Sequence, residues 1–270
     1  MANEVVKYNN YLNNLALTGF KEVELDLLMT ICARMKNQDI DRITLSFEEL
    51  KILSDSTRRR LDDFVNDLSK TNEKLARITC KIETQDELVY FVLFPTFVIN
   101  KKMRNLTVAV NPDFRFVLND LNSNFTRFEL NEFVHLSGRY SKQLYRLLKQ
   151  YRTLGKVIIP LDDFRRKMDI PMSYRVKDIL EKVIKPTLKE LSPYFKGLNV
   201  NVEHAKRRGS PVTGYSFTFQ KETISKKSEQ KKTKSNKSIK PKKNSFNNFE
   251  QRTYSDEEMK EIEKALLDLN

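Results

Sequence analysis

The sequence contains few of the residue types that carry catalytic or metal chemistry. Its 270 residues include two cysteines, two histidines and no tryptophan. Cys32 and Cys80 are too few for a disulfide framework or a zinc ribbon. His135 and His204 lie far apart in the chain, so no His-x-His pair is present to hold a metal beside a nicking tyrosine. We therefore expect no metal site and no cofactor.

Long apolar stretches are also missing from the chain. No run reaches the roughly 18 residues that a membrane-spanning helix needs. Residues 1–4 lack the basic start and apolar core of a signal peptide. We therefore expect a soluble protein in the reducing cytoplasm, without a membrane partner.

A phosphate-cradling loop is absent as well. The nearest match is residues 209–214, which are followed by Tyr215 where a P-loop has lysine. The carboxylates of Asp162 and Asp163 fall in the first turn of a predicted helix, where the helix dipole accounts for Asp163. No pattern indicates several carboxylates in one cleft, as a two-metal nuclease requires. The sequence therefore predicts a non-enzyme; the alternative is a relaxase or primase without its usual motifs.

Positive charge is in excess and is unevenly distributed. Lys and Arg number 49 against 36 Asp and Glu, which gives a net charge of +13. Residues 221–244 carry ten lysines and two glutamates, residues 245–270 have a net charge of −4, and residues 1–220 retain +9. A basic globular part predicts a polyanionic partner, and we expect this partner to be double-stranded DNA.

The chain is predicted to end in a polar tether and a short helix. Residues 221–244 consist mainly of Lys, Ser, Thr, Asn and Gln. Such a composition cannot bury enough apolar surface to offset chain entropy, so we expect residues 221–254 to form a basic disordered linker. This linker is either a solvated spacer or a tail that adds phosphate affinity. Residues 255–270 begin with a capping box and predict an amphipathic helix, which either docks on a partner or packs on its own domain.

The same succession of predicted secondary-structure elements occurs twice before residue 221. It comprises a helix, a short strand, a short helix, a polar turn, a third helix and hairpin strands. The pattern of residues 47–50 returns at residues 161–164, an offset of 114. The apolar positions of the third helix return at an offset of 115: Leu61, Phe64, Val65 and Leu68 correspond to Val176, Ile179, Leu180 and Val183. Helix-turn-helix units of this kind place a helix in the DNA major groove.

The repeat predicts an α+β fold with tandem winged-helix (helix-turn-helix) domains, a disordered basic tail and a short C-terminal helix. The expected boundaries are residues 1–122 for the N-terminal domain and 123–220 for the C-terminal domain. Residues 221–254 are then the linker and residues 255–270 the terminal helix.

The helix predicted at residues 174–191 is the candidate DNA reader of the second domain. Its apolar side faces the core and its charged side faces away. Pro186 is expected to break the hydrogen-bond ladder and kink this helix, which leaves the N-terminal half to enter the groove. Arg175 suits a guanine edge and Lys182 a phosphate; the alternative is a solvated basic face. The predicted reader side chains are Ser173, Tyr174, Arg175, Asp178 and Lys182.

The two predicted wings differ in charge. The second wing contains the consecutive cations Lys206, Arg207 and Arg208, which fit a phosphate or minor-groove clamp. The first wing is assigned to residues 84–87, Thr-Gln-Asp-Glu, which would repel phosphate. The apolar strand at residues 88–94 is either the core of a sheet or a self-association surface.

Two further groups of cations lie in the first domain. Arg58, Arg59 and Arg60 come where its third helix begins, at the position where base or phosphate contacts belong. Lys101 and Lys102 occupy another hairpin turn. There they either add phosphate contacts or remain solvated.

The chain resembles the iteron-binding plasmid replication initiators, the Rep proteins with two winged-helix domains. The resemblance covers about residues 4–220 and is stronger in the second domain than in the first. The stretches that carry it are residues 108–118, 136–149 (Leu-Ser-Gly-Arg-Tyr-Ser-Lys-Gln-Leu-Tyr-Arg-Leu-Leu-Lys), 182–191 (Lys-Val-Ile-Lys-Pro-Thr-Leu-Lys-Glu-Leu) and 213–219 (Thr-Gly-Tyr-Ser-Phe-Thr-Phe).

The resemblance implies a function that the residue pattern alone does not supply. Members of the family bind direct repeats at a plasmid origin as monomers and promote strand opening with a host initiator and helicase. Their dimers, formed through the first domain, repress the initiator's own gene. It also implies that the third helix of the second domain is the main reader. A transcriptional regulator on the same scaffold, without a replication role, is the alternative.

Pattern and resemblance together define the expected DNA-binding residues. They are Arg58, Arg59, Arg60, Lys101, Lys102, Lys142, Ser173, Tyr174, Arg175, Asp178, Lys182, Lys206, Arg207 and Arg208.

Overall fold

The computed structural model describes residues 4–36, 42–83, 85–119, 121, 124–206 and 209–223. The wing residues Arg207 and Arg208 lie outside the described residues, as do the predicted linker beyond residue 223 and the predicted C-terminal helix. Within the described ranges, no helix is both long and apolar enough to cross a membrane. The same ranges contain no cluster of three or more His, Cys, Asp or Glu residues able to hold a metal ion.

The first helix-turn-helix unit lies in the N-terminal half of the chain. Its elements are α2 (Glu22–Met35), β2 (Arg42–Ser46), α3 (Phe47–Leu53), α4 (Leu61–Arg77), β5 (Thr96–Asn100) and β6 (Asn105–Ala109). The three strands form an antiparallel sheet in the order β2-β6-β5. The helix α3 begins at a capping serine, because the hydroxyl of Ser46 accepts the Glu49 N–H at 3.0 Å.

The second unit repeats this arrangement. Its elements are α6 (Arg139–Gln150), β8 (Lys156–Pro160), α7 (Leu161–Met168), a third helix over residues 176–191, β9 (Asn199–His204) and β10 (Val212–Thr218). The sheet order β8-β10-β9 matches β2-β6-β5 strand for strand. The helices α7 and α3 start 114 residues apart, and the third helices start 115 residues apart. The predicted duplication of a winged-helix fold is therefore confirmed.

The equivalent strands also bury equivalent side chains. In the first unit Leu45 pairs with Leu106, and in the second Ile159 pairs with Tyr215; all four side chains are buried. Aromatic rings from the second helix of each unit complete each core. Phe47 lies 5.5 Å from Phe64 in the first unit, and Phe164 lies 5.0 Å from Tyr215 in the second, measured between ring centroids. Each unit therefore has an apolar centre beneath its third helix.

Two pairs of strands lie outside the repeat. The strand β1 (Val5–Asn9) pairs antiparallel with β7 (Phe125–Glu129), which precedes the second unit. The strands β3 (Thr79–Glu83) and β4 (Leu88–Val92) form a two-stranded hairpin between α4 and β5. Three short helical segments complete the described chain: α1 (Tyr11–Asn14), the 3₁₀ turn Pro112–Val117 and α5 (Leu130–Val134).

The topology corrects the predicted position of the first wing. The second wing is the β9–β10 hairpin, and its counterpart in the matching sheet is β5–β6, with its turn at residues 101–104. The acidic turn of the β3–β4 hairpin belongs to an insertion that the second unit lacks. The order of the strands in the two sheets shows that β5–β6 is equivalent to β9–β10. Strand order cannot be predicted from a local sequence pattern.

The third helix of the second unit contains a widened turn in its middle. It starts as α8 (Val176–Asp178), continues as a π-helical segment (Ile179–Ile184) and ends as α9 (Lys185–Leu191). Pro186 has no N–H to donate to the preceding turn, so the regular ladder cannot continue through it. The predicted break in the ladder is thus present as a π-helical segment just before the proline.

Candidate nucleic-acid interface

The start of the 176–191 helix brings the predicted reader side chains of the second unit together. The carboxylate of Asp178 accepts the backbone N–H of Arg175 at 3.1 Å and pairs with the Lys182 ammonium at 2.8 Å. The Lys182 nitrogen also lies 5.1 Å from the centroid of the Tyr174 ring. Arg175 and Ser173 are exposed beside this cluster. All five predicted reader side chains therefore lie together at the start of this helix.

The charges in this cluster support each other. The hydrogen bond from Lys182 lowers the pKa of the Asp178 carboxyl, and the hydrogen bond to Asp178 raises the pKa of the Lys182 ammonium. Both groups are therefore charged at neutral pH. Because their charges cancel, Arg175 and the exposed Lys177 supply the net positive charge at the start of the helix.

An arginine that sequence analysis missed holds the turn before this helix. The Arg165 guanidinium on α7 donates to the carbonyl of Tyr174 at 2.7 Å and to the carbonyl of Pro171 at 3.5 Å. Met172, at the tip of the same turn, has 87% of its side-chain surface exposed. Two carbonyls bound by one guanidinium fix the path into the reader helix. The only signal in the sequence was an arginine near the end of the preceding helix.

The second wing is a tight hairpin with an exposed basic tip. The Ala205 N–H donates to the Pro211 carbonyl at 2.9 Å, and a His204 ring nitrogen lies 2.8 Å from the Ser210 carbonyl oxygen. Gly209 adopts a φ of +83°, a conformation that favours glycine. Lys206 is exposed at the tip.

The first wing is basic too, which the acidic tip assigned from sequence did not anticipate. The side chains of Lys101, Lys102 and Arg104 are exposed on the β5–β6 turn. The turn is shaped by Asn100, whose side-chain oxygen accepts the Met103 N–H at 2.9 Å. Its base is tied to the start of α3, because the Phe47 N–H donates to the Arg104 carbonyl at 2.8 Å. Both units therefore present lysines at equivalent wing tips.

The three arginines before α4 are not equivalent. The guanidinium of Arg58 forms an ion pair with Asp67 in the second turn of the helix, with 2.7 Å between Nε and Oδ2. Arg59 and Arg60 are exposed at the helix start. Arg58 is thus held against its own helix, and Arg59 and Arg60 are the better placed of the three to contact DNA.

Lys142 is a correction to the expected interface, because its ammonium is not on the surface. Its side chain is 1% exposed and donates to Asp26 at 2.6 Å and to the carbonyls of Phe133 and Val134 at 2.9 and 3.2 Å. Burial lowers the pKa of the Lys142 ammonium and raises that of the Asp26 carboxyl, while the partner's charge opposes each shift. Lys142 joins α6 to α2, and its buried ammonium is not accessible to a DNA phosphate.

Comparison with known proteins then decides the family. The profile described as "Initiator Replication protein, WH1" matches residues 5–149, and the profile "Initiator Rep protein, WH2" matches residues 160–219. The chain belongs to this family of replication initiators. The protein is therefore a DNA-binding initiator and not an enzyme. The first profile extends through α6, and the domain boundary at residues 122 and 123 stays a prediction.

One curated relative agrees with the family assignment, and one solved structure shares the fold. The "probable replication protein rep" of Bifidobacterium longum (strain NCC 2705) is 38% identical over 229 residues, which cover 83% of this chain and 75% of that protein. The crystal structure of the Pi initiator protein in complex with iteron DNA has a TM-score of 0.62 at 14% identity. That match covers 81% of this chain and 98% of the Pi chain. At that identity the match shows the shared fold.

Proposed function

We propose that this initiator starts plasmid replication by binding direct repeats at the origin as a monomer. The observation that carries the proposal is the duplicated reading unit, in which each third helix is accompanied by a wing with exposed lysines. Two such units in one chain can occupy neighbouring major grooves, about 34–36 Å apart. The Pi initiator was crystallised with iteron DNA, and this kind of site is what we propose here.

The second unit is proposed to supply most of the base contacts. Arg175 is placed to donate two hydrogen bonds to a guanine edge, and Asp178 to accept from a cytosine amino group. Lys182, with Tyr174, is placed for a phosphate. In this assignment the two wing tips and the arginines before α4 contact the DNA phosphates and fix the position of the protein along the duplex.

Strand opening and recruitment of the host initiator and helicase form the second step of the proposal. Family membership supports this step, in which unwinding of an AT-rich segment begins once several neighbouring repeats are occupied. In this step the initiator holds the origin DNA in a fixed orientation, and the host proteins supply the unwinding activity.

The test is footprinting of the purified protein on the DNA upstream of its own gene, at about 0.15 M salt. We expect protection of several evenly spaced direct repeats, with hyper-reactive bases in a neighbouring AT-rich segment. A single protected inverted repeat over the promoter, without distortion, would instead support a transcriptional regulator. Incubation of supercoiled origin DNA with Mg²⁺ is the companion control, because a nicked product would contradict a non-enzymatic initiator.

A dimer that represses the initiator's own gene is proposed to form through the β3–β4 hairpin. Leu88 and Tyr90, two positions apart on β4, lie on one face of that strand with 50% and 61% of their surfaces exposed. Exposed apolar side chains that share a face support an interaction surface there. The hairpin is also the insertion that the second unit lacks, so it is available for a task other than reading DNA.

Tyr90→Glu tests the dimer surface, because it places a charge at the centre of the proposed contact. We expect sedimentation to show a monomer at concentrations where the unchanged protein is dimeric, and repression of the initiator's own promoter to be lost. Binding to a single direct repeat should be retained. Ile158→Glu, at an exposed apolar site on β8, is the matched control and should leave the dimer intact. A dimer that survives Tyr90→Glu would contradict this surface.

A further inference from the structure

A single residue in the loop before α2, Gly19, is hydrogen-bonded to both helix-turn-helix units. The Gly19 carbonyl accepts the ammonium of Lys74 from α4 at 2.6 Å. The Gly19 N–H donates to the carboxylate of Asp169 at the end of α7 at 2.9 Å. We call Lys74, Gly19 and Asp169 the Gly19 clasp. It links the third helix of the first unit to the second helix of the other.

The clasp is held from both sides. The loop is anchored by Leu17 and Phe20, whose side chains are buried. Asp169 also pairs with the Arg139 guanidinium at 3.0 Å, and Arg139 donates in addition to the Asp169 carbonyl at 3.2 Å. The Lys74 ammonium also pairs with the nearly buried Glu24 carboxylate at 2.5 Å. Both partners of the Gly19 backbone are therefore held by a second contact.

A second link runs parallel to the clasp. The Arg166 guanidinium on α7 donates to the carbonyl of Asn14 at 2.9 Å, at the end of α1 and before the same loop. The conformation of Asp169 is left-handed, with φ at 50°, so α7 stops at the residue that makes the contact. The turn that leads to the reader helix of the second unit starts directly after this point.

Two helices hydrogen-bonded to the N–H and the carbonyl of one residue are held at one separation and rotation. On DNA this matters because one inserted base pair moves the next contact by about 3.4 Å and turns it by roughly 34–36°. A rigid protein cannot follow such a change with both units. A flexible connection could follow it.

We infer that the Gly19 clasp sets the distance and rotational phase between the two reader helices, and so makes the protein selective for the spacing between the two halves of its DNA site. This inference rests on the proposed function, since it assigns a specificity to the same two-unit interface. Lys74, Gly19 and Asp169 act as positioning residues and do not themselves need to touch DNA.

The first test measures the geometry without DNA. Spin labels are attached at Lys70→Cys on α4 and Lys177→Cys on α8, both exposed positions, while the native Cys32 and Cys80 are buried. Pulsed electron resonance should give one narrow distance distribution. Adding Lys74→Met and Asp169→Gly should broaden or shift it, and glycine still allows the left-handed conformation at residue 169. An unchanged distribution would overturn the inference.

The matched control for this test is Lys81→Met. It removes an exposed lysine ion pair, to Glu83, at a site away from the clasp. The distance distribution should then stay narrow. Thermal unfolding followed by circular dichroism is recorded for every variant, and if the double variant does not fold, Lys74→Met alone is judged by the same criterion.

The second test measures spacing selectivity on the duplex protected in the footprint. Copies with one or two base pairs inserted at its midpoint are compared with the intact site. The unchanged protein should lose about 100-fold in affinity on the two-base-pair insertion, because simultaneous engagement of both halves is lost. The clasp variant should lose less than about tenfold relative to its own affinity for the intact site.

The outcomes separate the inference from the proposed function. A spacing penalty in the clasp variant equal to that of the unchanged protein would contradict the inference, whatever the affinity for the intact site. If the unchanged protein protects no such duplex, the proposed function fails, and the spin-label distances still decide whether the clasp holds the units.

Discussion

The two winged-helix units of this initiator share one topology and differ in what is added to it. Both have the same strand order, and both carry lysines at the wing tip. The first unit has gained the β3–β4 hairpin, with Leu88 and Tyr90 exposed. The second unit has an arginine, Arg165, that fixes the turn before its reader helix. Duplication thus supplied two similar surfaces, and the additions to them support the self-association proposed for the first unit and the base reading proposed for the second.

The largest effect is expected from a change at the contact between the equivalent helices α2 and α6. Lys142→Met leaves Asp26 buried without its partner, so we expect the free energy of unfolding to fall by about 3–5 kcal/mol. Urea unfolding measures it. Replacing both partners, as in Asp26→Leu with Lys142→Met, should recover much of the loss. A loss below about 1 kcal/mol for the single variant would mean that the pair does not join the two helices.

Reading by the second unit is tested by Arg175→Ala. If Arg175 contacts a base, the change should weaken binding to the specific site by about 1–3 kcal/mol and leave binding to random DNA unaltered. Arg60→Ala is the matched change in the first unit and should cost less on the specific site. Titrations with a specific and a scrambled duplex give both numbers. Equal loss by Arg175→Ala on both duplexes would refute base reading.

The likeness of the two wings is tested through salt dependence. Each phosphate contact contributes roughly 0.9 to the slope of log affinity against log salt, so removal of three cations should lower the slope by about three. We expect this for Lys206, Arg207 and Arg208 changed to Ala together, and equally for Lys101, Lys102 and Arg104. A slope that stays the same for either triple variant would mean that this wing lies off the DNA.

The smallest effect is expected at Arg58. Its ion pair with Asp67 is about half exposed on the arginine side, so Arg58→Ala should lower the free energy of unfolding only slightly. It should also weaken DNA binding less than Arg59→Ala or Arg60→Ala. A larger loss of DNA affinity at Arg58 than at its neighbours would show that the ion pair opens on binding.

What the sequence predicted well was local or periodic. The duplicated units, with their offsets of 114 and 115, follow from apolar spacing and from capping residues near Ser46 and Pro160, which act within one or two turns. The interruption of the regular helical hydrogen bonds before Pro186 follows from the missing N–H of proline. These features need no knowledge of distant parts of the chain.

What the sequence did not predict depends on partners far away in the chain. Lys142 is buried because Asp26, 116 positions earlier, lies opposite it. The wing of the first unit was misplaced because strand pairing, and not strand composition, decides that β5–β6 matches β9–β10. The Gly19 clasp joins residues 55 and 150 positions from Gly19. The predicted DNA contacts other than Lys142 stay predictions until they are tested on DNA.

The pairing of β1 with β7 has a consequence for how the protein is made. The partner of Val5–Asn9 is more than a hundred residues downstream, and the buried Arg146 adds bonds to Tyr8 and to the Leu12 carbonyl. A growing chain emerges from the ribosome in order, so β1 lacks its partner strand until β7 has also been synthesised. Contacts this distant in sequence form slowly. The strand β1 is therefore among the last described elements to reach its final place, and a chain cut at residue 122 would leave Val6 and Tyr8 uncovered.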